Sequence, residues 1–164
     1  MIDVKLMTLR TIKFCVNGES YKLRVNPDKK LLDVLREDLG LTGAKPACRT
    51  GNCGACKVMI DGSAVNSCLI HVEKVNGKEV LTIEGLASGN DLHPIQEAFV
   101  VSGAVQCGYC TPGMIIAAKA LLDRNKMPTE EEVRKALSGN ICRCTGYVKQ
   151  IQAVLLAAKW MRER

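Results

Sequence analysis

Eight of the nine cysteines in this 164-residue chain fall into two compact quartets. The first reads Cys48-Arg-Thr-Gly-Asn-Cys53-Gly-Ala-Cys56 and is completed by Cys68. The second reads Cys107-Gly-Tyr-Cys110 and is completed, after a long gap, by Cys142-Arg-Cys144. Thiolates suit soft metals. Four of them per site, in a chain with only two histidines, point to a pair of iron–sulfur clusters. Such sites carry electrons rather than make or break bonds.

The first quartet has the plant-type ferredoxin spacing, C-x4-C-x2-C with a distant fourth cysteine. Gly51 and Gly54 let the backbone curl so that its amides face the sulfurs, and they keep side chains clear of a cluster. Cys68, expected on a returning strand, closes the site. A zinc knot competes, because C-x2-C is also a zinc element, but the four-residue spacer in a glycine loop favours iron–sulfur. The second quartet stays open between zinc and a cluster on spacing alone. Its ferredoxin-like neighbour favours a second cluster, since paired clusters make a relay.

Two kinds of scaffold position these ligands. Over residues 11–25, Ile12, Phe14 and Val16 alternate with polar neighbours, Asn17-Gly18 supplies a type I′ turn, and Tyr21, Leu23 and Val25 return. Leu31, Leu35 and Leu39 predict a helix stopped by Gly40. A second hairpin is expected from Lys57 through Asp61-Gly62 to Cys68, and a last strand from Glu79 to Ile83. After Gly85 four helices are predicted: Leu92 to Val101, Thr111 to Asn125, Thr129 to Ser138 and Tyr147 to Met161. Thr111 is read as an N-cap before Pro112, Thr129 and Glu132 as a capping box, and Gly139 as a helix stop. The boundary falls near Ala87 to Asp91.

Hydrophobic residues make up 47% and aromatic residues only 4%, so two small cores would gain from inorganic cross-links. Disulfides are disfavoured by the odd cysteine count and by pairs too close together to staple a chain. Met1-Ile-Asp-Val-Lys-Leu-Met-Thr-Leu-Arg10 carries no apolar signal-peptide core, and the longest apolar stretches fall far short of a membrane span. The expected location is a reducing cytoplasm. The formal charge of +6 counts thiols as neutral; two oxidised [2Fe–2S] sites would lower it to about +2. With scattered basic residues and few rings to stack bases, no nucleic-acid partner is expected.

Gln106-Cys-Gly-Tyr-Cys-Thr-Pro-Gly-Met114 and Gly139-Asn-Ile-Cys-Arg-Cys-Thr-Gly-Tyr147 resemble the signatures of one family. It is the small iron–sulfur subunit of the molybdenum hydroxylases, of the xanthine dehydrogenase, aldehyde oxidoreductase and carbon monoxide dehydrogenase type. The resemblance implies an α+β fold, with a plant-type ferredoxin-like (β-grasp) domain over 1–87 and a four-helix bundle domain over 88–164. Each domain would carry one [2Fe–2S] cluster. Carried over by motif, Cys107, Cys110, Cys142 and Cys144 would bind the molybdenum-proximal cluster, and Cys48, Cys53, Cys56 and Cys68 the flavin-proximal one. Gln106 matches a glutamine that contacts the pterin, and Cys144 sits where a cluster ligand also approaches it. Pro46-Ala47 before Cys48 and Arg49 after it depart from the usual pattern, while the ligand spacing survives.

The implied partners are a large molybdopterin subunit and a medium FAD subunit in a dimer of heterotrimers. Electrons would run from molybdopterin through both clusters to FAD, with no bond chemistry on this chain. An autonomous two-cluster carrier and a structural zinc module are the rival functions. A carrier would need only the ferredoxin-like half.

Outside the quartets, Cys15 is expected to pack on the hairpin face opposite Phe14. His71 and His93 are assigned surface or capping roles, because both quartets are complete without them. Arg49 and Arg143 each adjoin a cysteine of a quartet, as solvated surface charges or, for Arg143, as a cation that would favour the reduced state of its cluster. Tyr109 and Tyr147, flanking the second quartet, are expected to pack against the helices.

Overall fold

The computed structural model describes residues 9–163. The leader-free reading of residues 1–10 therefore lies, for its first eight positions, outside the described residues. The fold is mixed α+β. Strands β1 (Arg10–Val16) and β2 (Glu19–Val25) pair antiparallel with Phe14 opposite Tyr21. Ile12, Phe14 and Val16 face the core, and Asn17 and Gly18 adopt φ of 53° and 85°, as a type I′ turn requires. Strands β3 (Lys57–Ile60) and β4 (Ser63–Asn66) repeat the device at Asp61 and Gly62, with φ of 46° and 79°. Strand β5 (Glu79–Leu81) inserts between the hairpins, parallel to β1 and antiparallel to β3. The sheet order is β2-β1-β5-β3-β4.

The last strand is shorter than its apolar run predicts. Thr82 leaves the ladder because its N–H donates to Asn17 Oδ1 (2.9 Å), while Asn17 Nδ2 donates to Thr82 Oγ1 (3.0 Å). The chain then turns through a 3₁₀ helix at Ile83–Gly85. The predicted Leu31–Leu39 helix also departs from a regular α-helix. It begins as α1 (Leu31–Asp33) and widens into a π-helix over Val34–Asp38. Arg36 donates to the Thr42 and Ala44 carbonyls (2.7 and 2.9 Å), drawing the following loop back beneath it.

The four later helices are α2 (Pro94–Val101), α3 (Thr111–Arg124), α4 (Glu130–Leu137) and α5 (Val148–Glu163). Leu92 and His93 precede α2 rather than belong to it. His93 is its N-cap: Nδ1 accepts from Ile95 N–H (3.2 Å), and Gln96 Oε1 accepts from His93 N–H (3.0 Å). The N-cap of α3 is Cys110, so Thr111 and Pro112 fall inside the first turn. The Thr129–Glu132 capping box forms as expected, and Ser138 is the C-cap of α4, with Gly139 directly after it. Helix α5 starts at Val148 because Tyr147 takes φ of 71°.

Two cores result. Phe14, Leu31, Leu35, Val58 and Val80 fill the one beneath the sheet; Phe99, Met114, Leu122, Leu137 and Val154 fill the one among the helices. Met59 of β3, with Ile116 and Ala120 of α3, forms a third cluster between them. Burial of side chains such as Met59 and Ile116 contributes about 1.5–3 kcal/mol each to holding the halves together. No helix among the described residues is long and apolar enough to cross a membrane.

Candidate metal centres

The loop before β3 curls through positive φ at Arg49 (56°), Gly51 (84°) and Gly54 (69°). The curl turns the N–H groups of Thr50 and Cys53 onto Cys48 Sγ, each at 3.4 Å. With the Thr50 hydroxyl leading, these donors pull the Cys48 thiol down to about 5. The left-handed backbone angle favours glycine at Gly51, where an added Cβ would meet only the movable end of the exposed Leu69 side chain. Arg49 does not face the thiols as a free cation. Its guanidinium is paired with Asp33 through two contacts of 2.9 and 3.1 Å.

Cys56 and Cys68 are buried and touch, and burial first of all pushes the Cys56 thiol up to about 11. Cys68 lies in a turn, not on the returning strand. Strand β4 ends at Asn66, whose Nδ2 swings to the Gly51 carbonyl (2.6 Å), and Ser67 Oγ then donates to the Cys56 carbonyl (2.8 Å).

At the second quartet, Cys107 and Cys144 are exposed with their sulfurs 3.6 Å apart. Cys110 meets Cys142 at the head of α3, and burial pushes Cys110 up to about 12. For Cys142 burial acts in the same direction, but the Thr145 hydroxyl (3.0 Å) and nearby amides outweigh it and hold the thiol below its ordinary value. Tyr147 does more than pack: its hydroxyl accepts from Cys142 N–H (2.7 Å) and donates to the Asn140 carbonyl (3.1 Å). Gln106 and Arg143 are exposed beside the thiols.

Each quartet thus converges as two pairs. Cys48 meets Cys53 and Cys56 meets Cys68; Cys107 meets Cys144 and Cys110 meets Cys142. Among the described residues no three metal-binding side chains close around one ion position. Two thiol pairs per site fit a two-iron core held by four thiolates. The protons that burial keeps on Cys56 and Cys110 would leave when metal binds. Cys15, half-buried on β1, and His71, beside Asp28 (3.4 Å), belong to neither set.

Residues that join the two loops were not evident in the sequence. Ile141 N–H donates to the Cys53 carbonyl (2.9 Å), and Asn140 Nδ2, fully buried, donates to the Gly54 carbonyl (3.1 Å). Lys57 Nζ reaches the Gly139 carbonyl (2.8 Å), and Tyr109 donates its hydroxyl to the Pro46 carbonyl (2.9 Å). A Cβ at Gly54 would collide with the Gly139 carbonyl oxygen, and one at Gly113 with that of Gly54. The only sequence signal for this junction is a Gly-Asn pair lying just before Cys142.

Two family models match the chain: a 2Fe-2S iron-sulfur cluster binding domain over residues 14–85, and a [2Fe-2S] binding domain over residues 82–155. The nicotinate dehydrogenase small FeS subunit of Eubacterium barkeri is 48% identical over 149 residues, 91% of this chain and 95% of that one. The xanthine dehydrogenase iron-sulfur-binding subunit of Escherichia coli O157:H7 is 46% identical over 147 residues, 88% of this chain and 92% of that one. The crystal structure of the aldehyde oxidoreductase from Desulfovibrio desulfuricans ATCC 27774 superposes with a TM-score of 0.92 at 46% identity, covering 94% of this chain and 17% of the other.

Proposed function

Because this chain belongs to the family of small [2Fe–2S] iron–sulfur subunits of the molybdenum hydroxylases, we propose that each cysteine quartet holds one of its two clusters. The chain is an electron-transfer subunit of an oxidoreductase, with the reaction chemistry carried elsewhere. Cys48, Cys53, Cys56 and Cys68 are assigned to one cluster; Cys107, Cys110, Cys142 and Cys144 to the other. The observation that carries the assignment is the convergence of both quartets as two thiol pairs. Bound there, the clusters would pass electrons singly from molybdopterin on a large partner subunit towards FAD on a medium one.

This chain's own residues prepare that role. The Thr50 and Cys53 amides aimed at Cys48 favour thiolate over thiol. The Ile141–Cys53 hydrogen bond leaves one such bond between the backbones of Cys142 and Cys53, a ligand of each site. Gln106 precedes the exposed Cys107 and is assigned to the pterin, which Cys144 also approaches. Val101 (66% exposed), Ile141 (58%) and Val148 (58%) lie close to these thiols in the chain and supply apolar surface for a partner to cover.

The separate cores support a ferredoxin-like β-grasp unit over 1–87 and a four-helix bundle unit over 88–164. The assembly is read as a dimer of heterotrimers in the cytoplasm, without nucleic-acid or membrane contact. Purification of the tagged chain from its host tests the reading. Two larger companions, one with flavin and one with molybdopterin, are expected; a red-brown chain eluting alone would favour a free carrier.

A further inference from the structure

Gln150 is a fully buried polar side chain in the first turn of α5, among Ile151, Ala153 and Val154 of the helical core. An amide in such surroundings is unfavourable unless hydrogen-bonded, so its partners reveal what keeps it there. Its Nε2 lies 3.1 Å from the Ala104 carbonyl and 2.5 Å from Thr145 Oγ1, while its buried Oε1 has no hydrogen-bond partner among the described residues. A carbonyl oxygen can only accept, so the atom facing Ala104 is Nε2, and the amide orientation is fixed. Nε2 then gives one proton to Ala104 and the other to Thr145 Oγ1. With a lone pair so engaged, the Thr145 hydroxyl keeps its own proton for an acceptor, and Cys142 Sγ lies 3.0 Å away. The bonds run in one direction, from Gln150 through Thr145 to Cys142.

We propose that Gln150 is a positioning residue that holds the Thr145 hydroxyl on the Cys142 sulfur and thereby raises the reduction potential of the second site. The inference rests on Cys142 being a cluster ligand, as assigned above. A hydrogen bond to a ligand sulfur favours the more negative, reduced state over the oxidised one. Without Gln150 the hydroxyl is free to rotate away from the sulfur. The same amide ties Ala104, ahead of Cys107, to Thr145, next to Cys144, and so sets the spacing of the two ligand-bearing segments.

The test is an EPR-monitored redox titration of the cluster-loaded chain in the complex with which it purifies. In Gln150→Leu both cluster signals should remain. The second site's midpoint should fall by about 59 mV, the equivalent of about a tenfold change for a one-electron couple, with the first site unmoved. Thr145→Val should give the same fall, Thr145→Ser the unaltered midpoint, and the Gln150→Leu/Thr145→Val double variant no further fall. Gln150→Met, unbranched, repeats the measurement where leucine prevents the site from forming. An unchanged midpoint in either glutamine variant or in Thr145→Val, or a double variant whose shift is the sum of the singles, overturns the proposal. Persistence of an unaltered second-site signal in Cys142→Ser would instead refute the ligand assignment beneath it.

Discussion

Cys110 completes the second thiol set and stands at the N-cap position of α3, where its side chain makes no capping hydrogen bond. Serine is among the best N-cap residues, so Cys110→Ser should keep the helix, seen by circular dichroism, and remove one ligand. One of two EPR signals of the reduced protein should vanish and the other remain. Loss of both would mean that the sites do not form independently. Gln106 is exposed and makes no part of either core, so Gln106→Ala should leave both signals intact and slow turnover of the assembled enzyme. Unaltered turnover would remove Gln106 from the pterin contact. The cysteine sets that the structure brings together were legible in the sequence because most of their members are clustered along the chain. Tyr109 was not: its hydroxyl finds Pro46, and no periodicity announces a partner 63 positions away. The Arg49–Asp33 pair was equally hidden, since Asp33 engages that charge from another element.

At the scale of elements, Asn17-Gly18 and Asp61-Gly62 could be read in advance because few other residues tolerate the angles they adopt. The π-helix after α1 could not, since its apolar spacing is that of an ordinary helix; Arg36, within it, reaches the Thr42 and Ala44 carbonyls of the loop that follows. His93 shows how a cap makes an element responsive to pH. Burial, with Lys119 and Lys126 against it and Asp123 partly offsetting them, lowers its pKa. Protonation would also take the Nδ1 lone pair that accepts from Ile95. The unfolded chain binds the proton near pH 6.5, the folded chain only below that, so the contribution is complete above about 6.5 and is lost as the pH falls. Thermal melts between about pH 7.5 and 5.5 should therefore show a steeper loss of stability for the native chain than for His93→Asn, which keeps a cap that does not titrate. Equal slopes would exclude His93 as the cause.

For the whole molecule, the junction between the two loops matters most, and it was the least legible, because Asn140 and Gly54 stand 86 positions apart. Gly40 and Gly54 both have left-handed backbones, but a Cβ at Gly40 meets nothing within 4 Å, whereas one at Gly54 meets the Gly139 carbonyl. Gly40→Ala should cost about 1–2 kcal/mol of backbone strain alone. Gly54→Ala should cost clearly more in denaturant titrations and should perturb both EPR signals, since the Gly54 and Gly139 backbones flank ligands of different sites. Equal costs would mean that the loops part without penalty. The hydrogen bonds of Ile141 to Cys53 and of Asn140 to Gly54 also bear on how such a chain can be passed between genes. Dividing the halves between two polypeptides would turn each of these bonds into a contact between chains. The same unit makes up most of the Eubacterium barkeri subunit and a 17% stretch of the Desulfovibrio enzyme. A fusion that carries both cysteine quartets together keeps these hydrogen bonds within one polypeptide.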